Sequence, residues 1–173
     1  PEAVQARVDQ TVASLLSQYH YRKVRIDDAL SATVFDDYLS ALDFSHSFLL
    51  ASDVAELDEY RDQLDDELRG GRLGAAFAIY NRYQQRLLER TRRIGEQLAQ
   101  PFDFRVSETY EVDRKKAPWA KSEAELDEIW RKRLKNETLG LMLAGKDEAA
   151  ARDTLRKRYE GRLHRAAQSG PED

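Results

Sequence analysis

RIDDALSATVFDDYLSALDFSHSFLLASD, residues 25–53, is the stretch of sequence that decides the fold. Its first part places a large apolar residue at every fourth position, at Leu30, Val34, Tyr38 and Leu42. Residues four apart lie on the same face of a helix. The spacing therefore predicts a helix from Asp27 to Leu42 that turns one face toward a core.

The turn after this helix, DFSHSFLL at residues 43–50, is unusually apolar for a loop. Burying large apolar side chains is favourable, so such a turn gains by packing inward. We expect Phe44, Phe48 and Leu49 to lie beneath the other helices. Another helix is predicted to begin at Asp53, with Glu56 at the spacing of a capping box.

Further amphipathic patterns on both sides of this hairpin predict more helices. The helix from Asp53 is expected to run to Gly70-Gly71, because glycine tolerates the backbone of a helix end. Ser122 and Glu125 form a second predicted capping box, at the start of a helix that Gly145 ends. The remaining predicted helices cover Glu2–Gln18, Leu73–Leu98 and about Asp147–Ala167.

Two neighbouring predicted helices carry opposite charges on their outer faces. The acidic face precedes Gly70 and consists of Asp58, Glu59, Asp62, Asp65, Asp66 and Glu67. The basic face follows and consists of Arg82, Arg86, Arg90, Arg92 and Arg93. This pattern predicts an antiparallel pair of helices with complementary surfaces. Each exposed ion pair would add only ~0–1 kcal/mol, so apolar burial must supply most of the stability.

The pattern changes between Pro101 and Lys121. Proline ends the preceding helix because it cannot donate to the helical ladder. Apolar and polar residues then alternate around Phe102, Phe104 and Val106, which is typical of an extended chain. A connector of this length is long for a compact domain, and long loops are often functional or contact a neighbour. We expect an extended, aromatic-rich connector that lies on the helices.

The composition fits one mainly α domain, residues 1–173, built as an irregular bundle of five to six helices with this connector. The chain is 35% charged with a net charge of −4, so it lacks the basic footprint of a nucleic-acid-binding protein. It has no apolar run of the ~20 residues needed to span a membrane. The start, PEAVQARVDQ, lacks the features of a signal peptide, and the polar ends suggest a piece of a longer protein.

The sequence offers little support for catalysis or for a cofactor. With no cysteine, the chain has no disulfide, cysteine nucleophile or thiolate metal site. Adjacent residues on a helix point about 100° apart, so paired carboxylates there do not converge on one substrate. This applies to the pairs Asp27-Asp28, Asp36-Asp37 and Asp65-Asp66. We interpret them as solvated faces and helix starts.

Histidine, serine and glycine give no stronger signal. His20, His46 and His164 lack the spacing of a helical zinc site, and His46 is interpreted as a turn histidine bonded to the backbone. A nucleophilic site made of Asp43, Ser45 and His46 would need a glycine-rich elbow and oxyanion donors, which the sequence lacks. Gly70, Gly71 and Gly74 do not form a phosphate-binding motif. We therefore predict no catalytic, cofactor or metal residues.

Several stretches nevertheless resemble the N-terminal region of bacterial tail-specific proteases, the long form of the C-terminal processing peptidases. The most specific are LDFSHSFLLASD and RKKAPWAKSEAEL, within longer similar segments. DELRGGRL, IYNRYQQR, TYEVDRKKAPWAKSEAELDEIW and, more weakly, LRKRYEGRLHRAAQSGPED extend the similarity in the same order. Together they span nearly the whole chain.

The resemblance implies a periplasmic parent protein with a PDZ domain and a serine protease domain beyond this chain. The parent would use a serine activated by a lysine to cleave proteins selected by their apolar C-terminal tails. No serine or lysine of this chain corresponds to that dyad. The expected partners are the PDZ and protease domains, protein substrates and an adaptor lipoprotein. The alternative is a free-standing helical protein-binding module, and an independent hydrolase is not expected.

Overall fold

The computed structural model describes residues 28–64, 67 and 73–168, together with residues 8, 10, 11 and 14. This part of the chain contains five helices and no strand, which confirms the mainly α prediction. The helices are α1 (Asp28–Leu42), α2 (Ala51–Leu57), α3 (Gly74–Leu98), α4 (Glu123–Leu143) and α5 (Glu148–Gln168). None of them has an apolar stretch long enough to cross a membrane.

The predicted helix Glu2–Gln18 lies outside the described residues, except for four positions that are helical. The other predicted helix bounds are mostly confirmed, within one residue for α1, α3, α4 and α5 at their starts. The connector, residues 101–121, contains neither helix nor strand, as expected. Its one β-type pairing is an isolated parallel bridge between Leu50 and Ala120.

Helix α3 is the spine of the domain. Its 25 residues make a rod about 37 Å long. The first half buries Ile79 and Tyr80 in a core shared with α1 and α2. The second half buries Ile94 and Leu98 in another core, shared with α4 and α5. A single amphipathic helix thus joins two apolar clusters that do not depend on a sheet.

Trp130 of α4 is the largest fully buried side chain of the second core. Its ring packs edge-on against Tyr159 of α5, with 5.7 Å between ring centroids. Leu155 of α5 belongs to the same core and is also fully buried. The indole Nε1 donates to the carbonyl of Ser47 at 2.7 Å. Trp130 therefore connects the second core to the turn after α1.

The hairpin of α4 and α5 follows the local signals in the sequence. Ser122 caps α4 by accepting from the amide of Glu125 at 3.2 Å. The carboxylate of Glu125 accepts from the amide of Lys121 at 2.8 Å, so the predicted capping arrangement forms with the donor shifted by one residue from Ser122. Gly145 follows the end of α4 and has φ +101°, a conformation that favours glycine.

The prediction for the helix after the turn was wrong at its start, and the helix is interrupted where the sequence predicted it to continue. Helix α2 begins at Ala51, which makes Asp53 its third residue and not its cap. The carboxylate of Asp53 accepts from the amide of Leu50 at 2.9 Å, so the capping box with Glu56 does not form. The α-helix is interrupted after Leu57 by a short 3₁₀ helix, Asp58–Tyr60. Leu64 and Glu67 are helical again, and the predicted end at Gly70-Gly71 lies outside the described residues.

Contacts with α1 hold the chain in place just after this break. The hydroxyl of Ser31 donates to the carbonyl of Arg61 at 2.5 Å. The Arg61 guanidinium pairs with Asp36 at 3.1 Å and lies 4.5 Å from the centre of the Phe35 ring. These tertiary contacts compete with continued α-helix, and the acidic residues around Asp58 carry no local signal for such a stop.

The apolar turn packs inward only in part. Leu49 is fully buried, and Phe48 is partly buried against the second core. Phe44, however, is 59% exposed, so its predicted burial was wrong. The hydrogen bonds that fold the turn involve the amides after Phe44, and they leave its ring outside beneath the ammonium of Lys115, at 5.1 Å.

We predict that Phe48→Ala lowers the free energy of unfolding by about 3 kcal/mol, the low end for a buried aromatic residue. The ring contacts Trp130 and Tyr83 at centroid distances of 5.4 and 5.9 Å, and alanine would leave a cavity there. Phe44→Ala is the matched control and should cost no more than ~1 kcal/mol, since only an exposed cation–π contact is lost. Urea denaturation measures both values, and equal losses would contradict this packing.

Candidate interaction site

Asp43 organises the turn between α1 and α2. This carboxylate is 1% exposed and accepts hydrogen bonds from the amides of Ser47, Phe48 and Leu49, each at 2.9 Å. Burial raises the pKa of Asp43, although the three amide bonds act in the opposite direction. An aspartate directly after a helix thus replaces the missing helical partners of three consecutive amides.

His46 fixes the far end of the connector to this turn. It adopts φ +47°, and its Nδ1 lies 2.5 Å from the carbonyl oxygen of Ala117. Its ring stacks on Trp119 with 3.7 Å between centroids. The amide of Ala51 donates to Ala120 at 2.8 Å and completes the attachment. The interpretation of His46 as a turn histidine bonded to the backbone is confirmed.

The three residues considered for nucleophilic catalysis do not form a relay. The carboxylate of Asp43 is occupied by backbone amides, and Ser45 donates to the hydroxyl of Ser47 at 2.9 Å. The described side chains also contain no group of three histidines or carboxylates that could hold a metal ion. The turn can therefore position chain segments, but these residues are not arranged for acid–base or nucleophilic chemistry.

The other candidate residues are dispersed. Asp36 and Asp37 are exposed on α1, and His164 is exposed on α5. Gly74 is the first residue of α3. Outside the described residues lie His20, Asp27, Asp65, Asp66, Gly70 and Gly71, and the side chain of Asp28 is likewise not described.

A buried carboxylate on α2 was not recognised from the sequence. Asp53 is fully buried, and both of its oxygens are bound by arginines of α3. Arg86 forms two bonds to it, at 2.8 and 2.9 Å, and Arg82 adds one at 2.8 Å. Burial alone would raise the pKa of Asp53, but the bonds from Arg86, the Leu50 amide and Arg82 outweigh burial and lower it.

The same row of arginines continues along α3 to the start of α4. The carboxylate of Glu123 accepts hydrogen bonds from Arg86 and Arg90, each at 2.9 Å. The carboxylate of Asp127 accepts hydrogen bonds from Arg90 and from Arg93, the latter at 2.7 Å. We call this set the charge ladder: the carboxylates of Asp53, Glu123 and Asp127, bound by Arg82, Arg86, Arg90 and Arg93.

The charge ladder corrects the expectation that the basic face of α3 is complementary to the acidic residues before Gly70. Arg90 is only 2% exposed, and its carboxylate partners belong to α4 instead of the acidic segment before Gly70. Of the predicted face, Arg92 does point outward, with its side chain 75% exposed. The signal that could have identified the inner arginines is their spacing, since 82, 86, 90 and 93 share one helix face.

The connector crosses α4 and is anchored to it by ion pairs. Glu108 binds Arg131 and Lys135, and the Lys135 ammonium lies 2.6 Å from its carboxylate. These hydrogen bonds lower the pKa of Glu108 to about 2. Lys135 also donates to the carbonyl of Val106 at 2.9 Å. The start of the connector is also anchored, because the Phe102 amide donates to the Glu148 carboxylate of α5 at 2.9 Å.

Between the connector and α4 lies a groove of about 380 Å³, and this is the candidate interaction site. The connector contributes residues 104–110, and α4 contributes Lys132, Lys135, Asn136 and Leu139. Leu139 is 40% exposed, and Leu143, one turn further on, is 81% exposed. The site combines apolar surface with ammonium and amide groups, which suits binding to another polypeptide better than chemical catalysis.

Asp53→Asn is expected to destabilise the domain by about 3–5 kcal/mol at neutral pH, because it leaves two arginines without their buried partner. The pKa of Asp53 is lowered by folding, so its contribution is complete above the ordinary pKa of ~4. That contribution is lost as the pH falls through the lower folded value. The penalty of the variant should therefore shrink in strong acid.

Urea denaturation of both proteins at pH 7 and at stepwise lower pH measures this difference. Asp36→Asn is the control, because that carboxylate is 64% exposed in its pair with Arg61 and should contribute at most ~1 kcal/mol. Equal, small losses for the two variants at pH 7 would show that the charge ladder does not hold the helices together.

For the connector, we predict that Arg131→Ala raises the pKa of Glu108 from about 2 toward its ordinary value near 4, since the strongest hydrogen bonds to the carboxylate disappear. Titration of the Glu108 side-chain carboxyl by NMR measures the change. Arg105→Ala, which removes a guanidinium bound only to Asp103 in the described structure, is the control. An unchanged Glu108 titration in Arg131→Ala would rule out this anchor.

Comparison with known proteins agrees with the resemblance found in the sequence. The family described as tail-specific protease N-terminal domain matches residues 12–173. The Tail-specific protease of Haemophilus influenzae is 36% identical over 159 residues, which cover 91% of this chain. The aligned part is 23% of that relative, so the chain spans about a quarter of its length. From the extent of both matches, the chain belongs to the tail-specific protease N-terminal domain family.

Proposed function

We propose that the chain is a non-catalytic scaffold within a larger periplasmic serine protease that selects proteins by their C-terminal tails. In this role the domain holds neighbouring parts of the protease in position and shapes the access of substrates. The observation that carries the proposal is the use of the buried carboxylates Asp43 and Asp53, both of which hold segments of the chain together.

Three groups that could have served chemistry illustrate this commitment. Asp43 is occupied by three backbone amides, and Asp53 is occupied by two arginines and the Leu50 amide. His46 is bonded to the Ala117 carbonyl and covered by Trp119. A catalytic acid, base or nucleophile needs access to a substrate atom. These groups support a rigid body that presents surfaces to partners.

The remaining features of the parent protein follow from the family resemblance and are part of the proposal. They comprise the PDZ domain, the lysine-activated serine, the periplasmic location and docking of an adaptor lipoprotein. The curated relative is named a tail-specific protease, and this chain corresponds to 23% of its length. We place the catalytic serine and lysine outside the 173 residues.

The test uses the parent protease with and without this domain. Deletion of the domain should reduce the cleavage of a folded protein with an apolar C-terminal tail more than the cleavage of a short peptide with the same tail. Adding the 173-residue chain in trans should restore part of the difference, while the chain alone should cleave neither substrate. Cleavage products are quantified by electrophoresis and mass spectrometry.

A version of the chain with Asp53→Asn is the matched control, because it should restore less activity as its charge ladder is broken. A chain with Asp36→Asn should restore as much as the original. If deletion changes neither activity, nor substrate choice, nor adaptor binding, the scaffold proposal is wrong.

A further inference from the structure

The connector contains six consecutive residues whose backbone groups bond to no described residue. Residues 107–112 receive no backbone hydrogen bond and donate none within the described part of the chain. The nearest bonded backbone groups on either side are the Val106 carbonyl, which accepts from Lys135, and the Arg114 carbonyl, which accepts from the amide of Ala117. We call residues 107–112 the connector edge.

The side chains of residues 107–111 alternate in direction, whereas Val112 lies at a bend and is 78% exposed. Glu108 turns toward α4 and its side chain is only 20% exposed, and Tyr110 is half-buried at the same groove. Ser107, Thr109 and Glu111 are exposed. A period of two is the signature of an extended chain. Residues 107–111 have this pattern, and five residues are within the usual length of a β-strand, so this part of the edge is a template for pairing with another strand.

A stripe on α4 runs beside this edge. It consists of Lys132, Asn136, Leu139 and Leu143, which share one helix face. Lys132 makes no ion pair with any described residue, whereas Lys135 is neutralised by Glu108. The stripe thus changes from a cationic end to an exposed apolar end, with Leu143 81% exposed. Its chemistry is complementary to a segment that is acidic at one end and apolar at the other.

We propose that the connector edge binds an extended segment of a partner protein as an added β-strand, with an acidic residue at Lys132 and apolar residues over Leu139 and Leu143. Main-chain hydrogen bonds to residues 107–112 supply affinity, and the α4 stripe supplies specificity. The proposal rests on the scaffolding role above and gives it a partner class. Its test measures binding alone, so it can fail while the scaffolding role stands.

The anchoring of the edge favours this mode of binding. Glu108 is held by Arg131 and Lys135 in the unbound chain, so the segment does not have to be ordered from a free coil when the partner arrives. Preorganisation of this kind reduces the entropic cost of association. The groove is small, so we expect weak binding, with a Kd on the order of 100 μM, as for transient contacts.

The probe is a heptapeptide, EEELVLV, with both ends blocked so that no terminal carboxylate contributes. Titration into the ¹⁵N-labelled 173-residue chain should shift the amide signals of residues 107–112 and of the α4 stripe. Amide exchange should then slow at every second residue of the connector edge, because a paired strand bonds alternate amides along one side. The basic peptide KKKLVLV, blocked in the same way, should bind at least tenfold more weakly.

Lys132→Glu should weaken binding of the acidic peptide about tenfold and strengthen binding of the basic one. Lys116→Glu, the same charge change at an exposed connector residue outside the groove, should alter binding less than twofold. Thermal unfolding of both variants verifies that they are folded.

Two results would overturn the proposal. One is the absence of alternate amide protection between residues 107 and 112 at saturating peptide. The other is equal binding of the acidic and basic peptides to the original chain.

Discussion

Asp53 is a fully buried carboxylate, and the arrangement of the domain depends on supplying it with positive charge. An ion taken out of water is costly unless its partners and hydrogen bonds are complete. Arg82 and Arg86 meet this requirement only when α3 lies against α2, and Arg86 then reaches Glu123 at the start of α4. One carboxylate thereby fixes the relative positions of three helices, and the apolar cores on either side fill the space that these positions leave.

Ion pairs and apolar packing contribute differently to this structure. The two cores of α3 provide the bulk of the driving force, since burial of apolar surface is non-directional and large in sum. Apolar packing tolerates sliding of one helix along another, whereas a bidentate arginine–carboxylate pair tolerates very little. Arg90, Glu123 and Asp127 therefore set the register of α4 on α3. His46 and Trp119 do the same for the end of the connector.

The sequence was sufficient for features with local causes. The periods of α1, α3 and α5, the cap at Ser122 and the stop at Gly145 were all predicted. Features with distant causes were not. No sequence signal near Asp58 predicts the end of α2, because the contacts that compete with continued helix come from Ser31 and Asp36 on α1. The same holds for the candidate site. The extended connector was predicted from the sequence, but the groove was not, because it exists only where α4 packs beside the connector.

The charge ladder also affects how the domain opens. Its pairs join residues 29 to 37 positions apart, so no single helix can leave without stranding a buried ion on the others. The free energy of partial opening is therefore close to that of complete unfolding, and the three helices unfold as one cooperative unit. A peptidase cleaves segments that have unfolded locally. A domain that rarely unfolds locally is therefore cleaved slowly. In the scaffold role proposed above, cooperativity of this kind would protect the domain from cleavage by the protease that contains it.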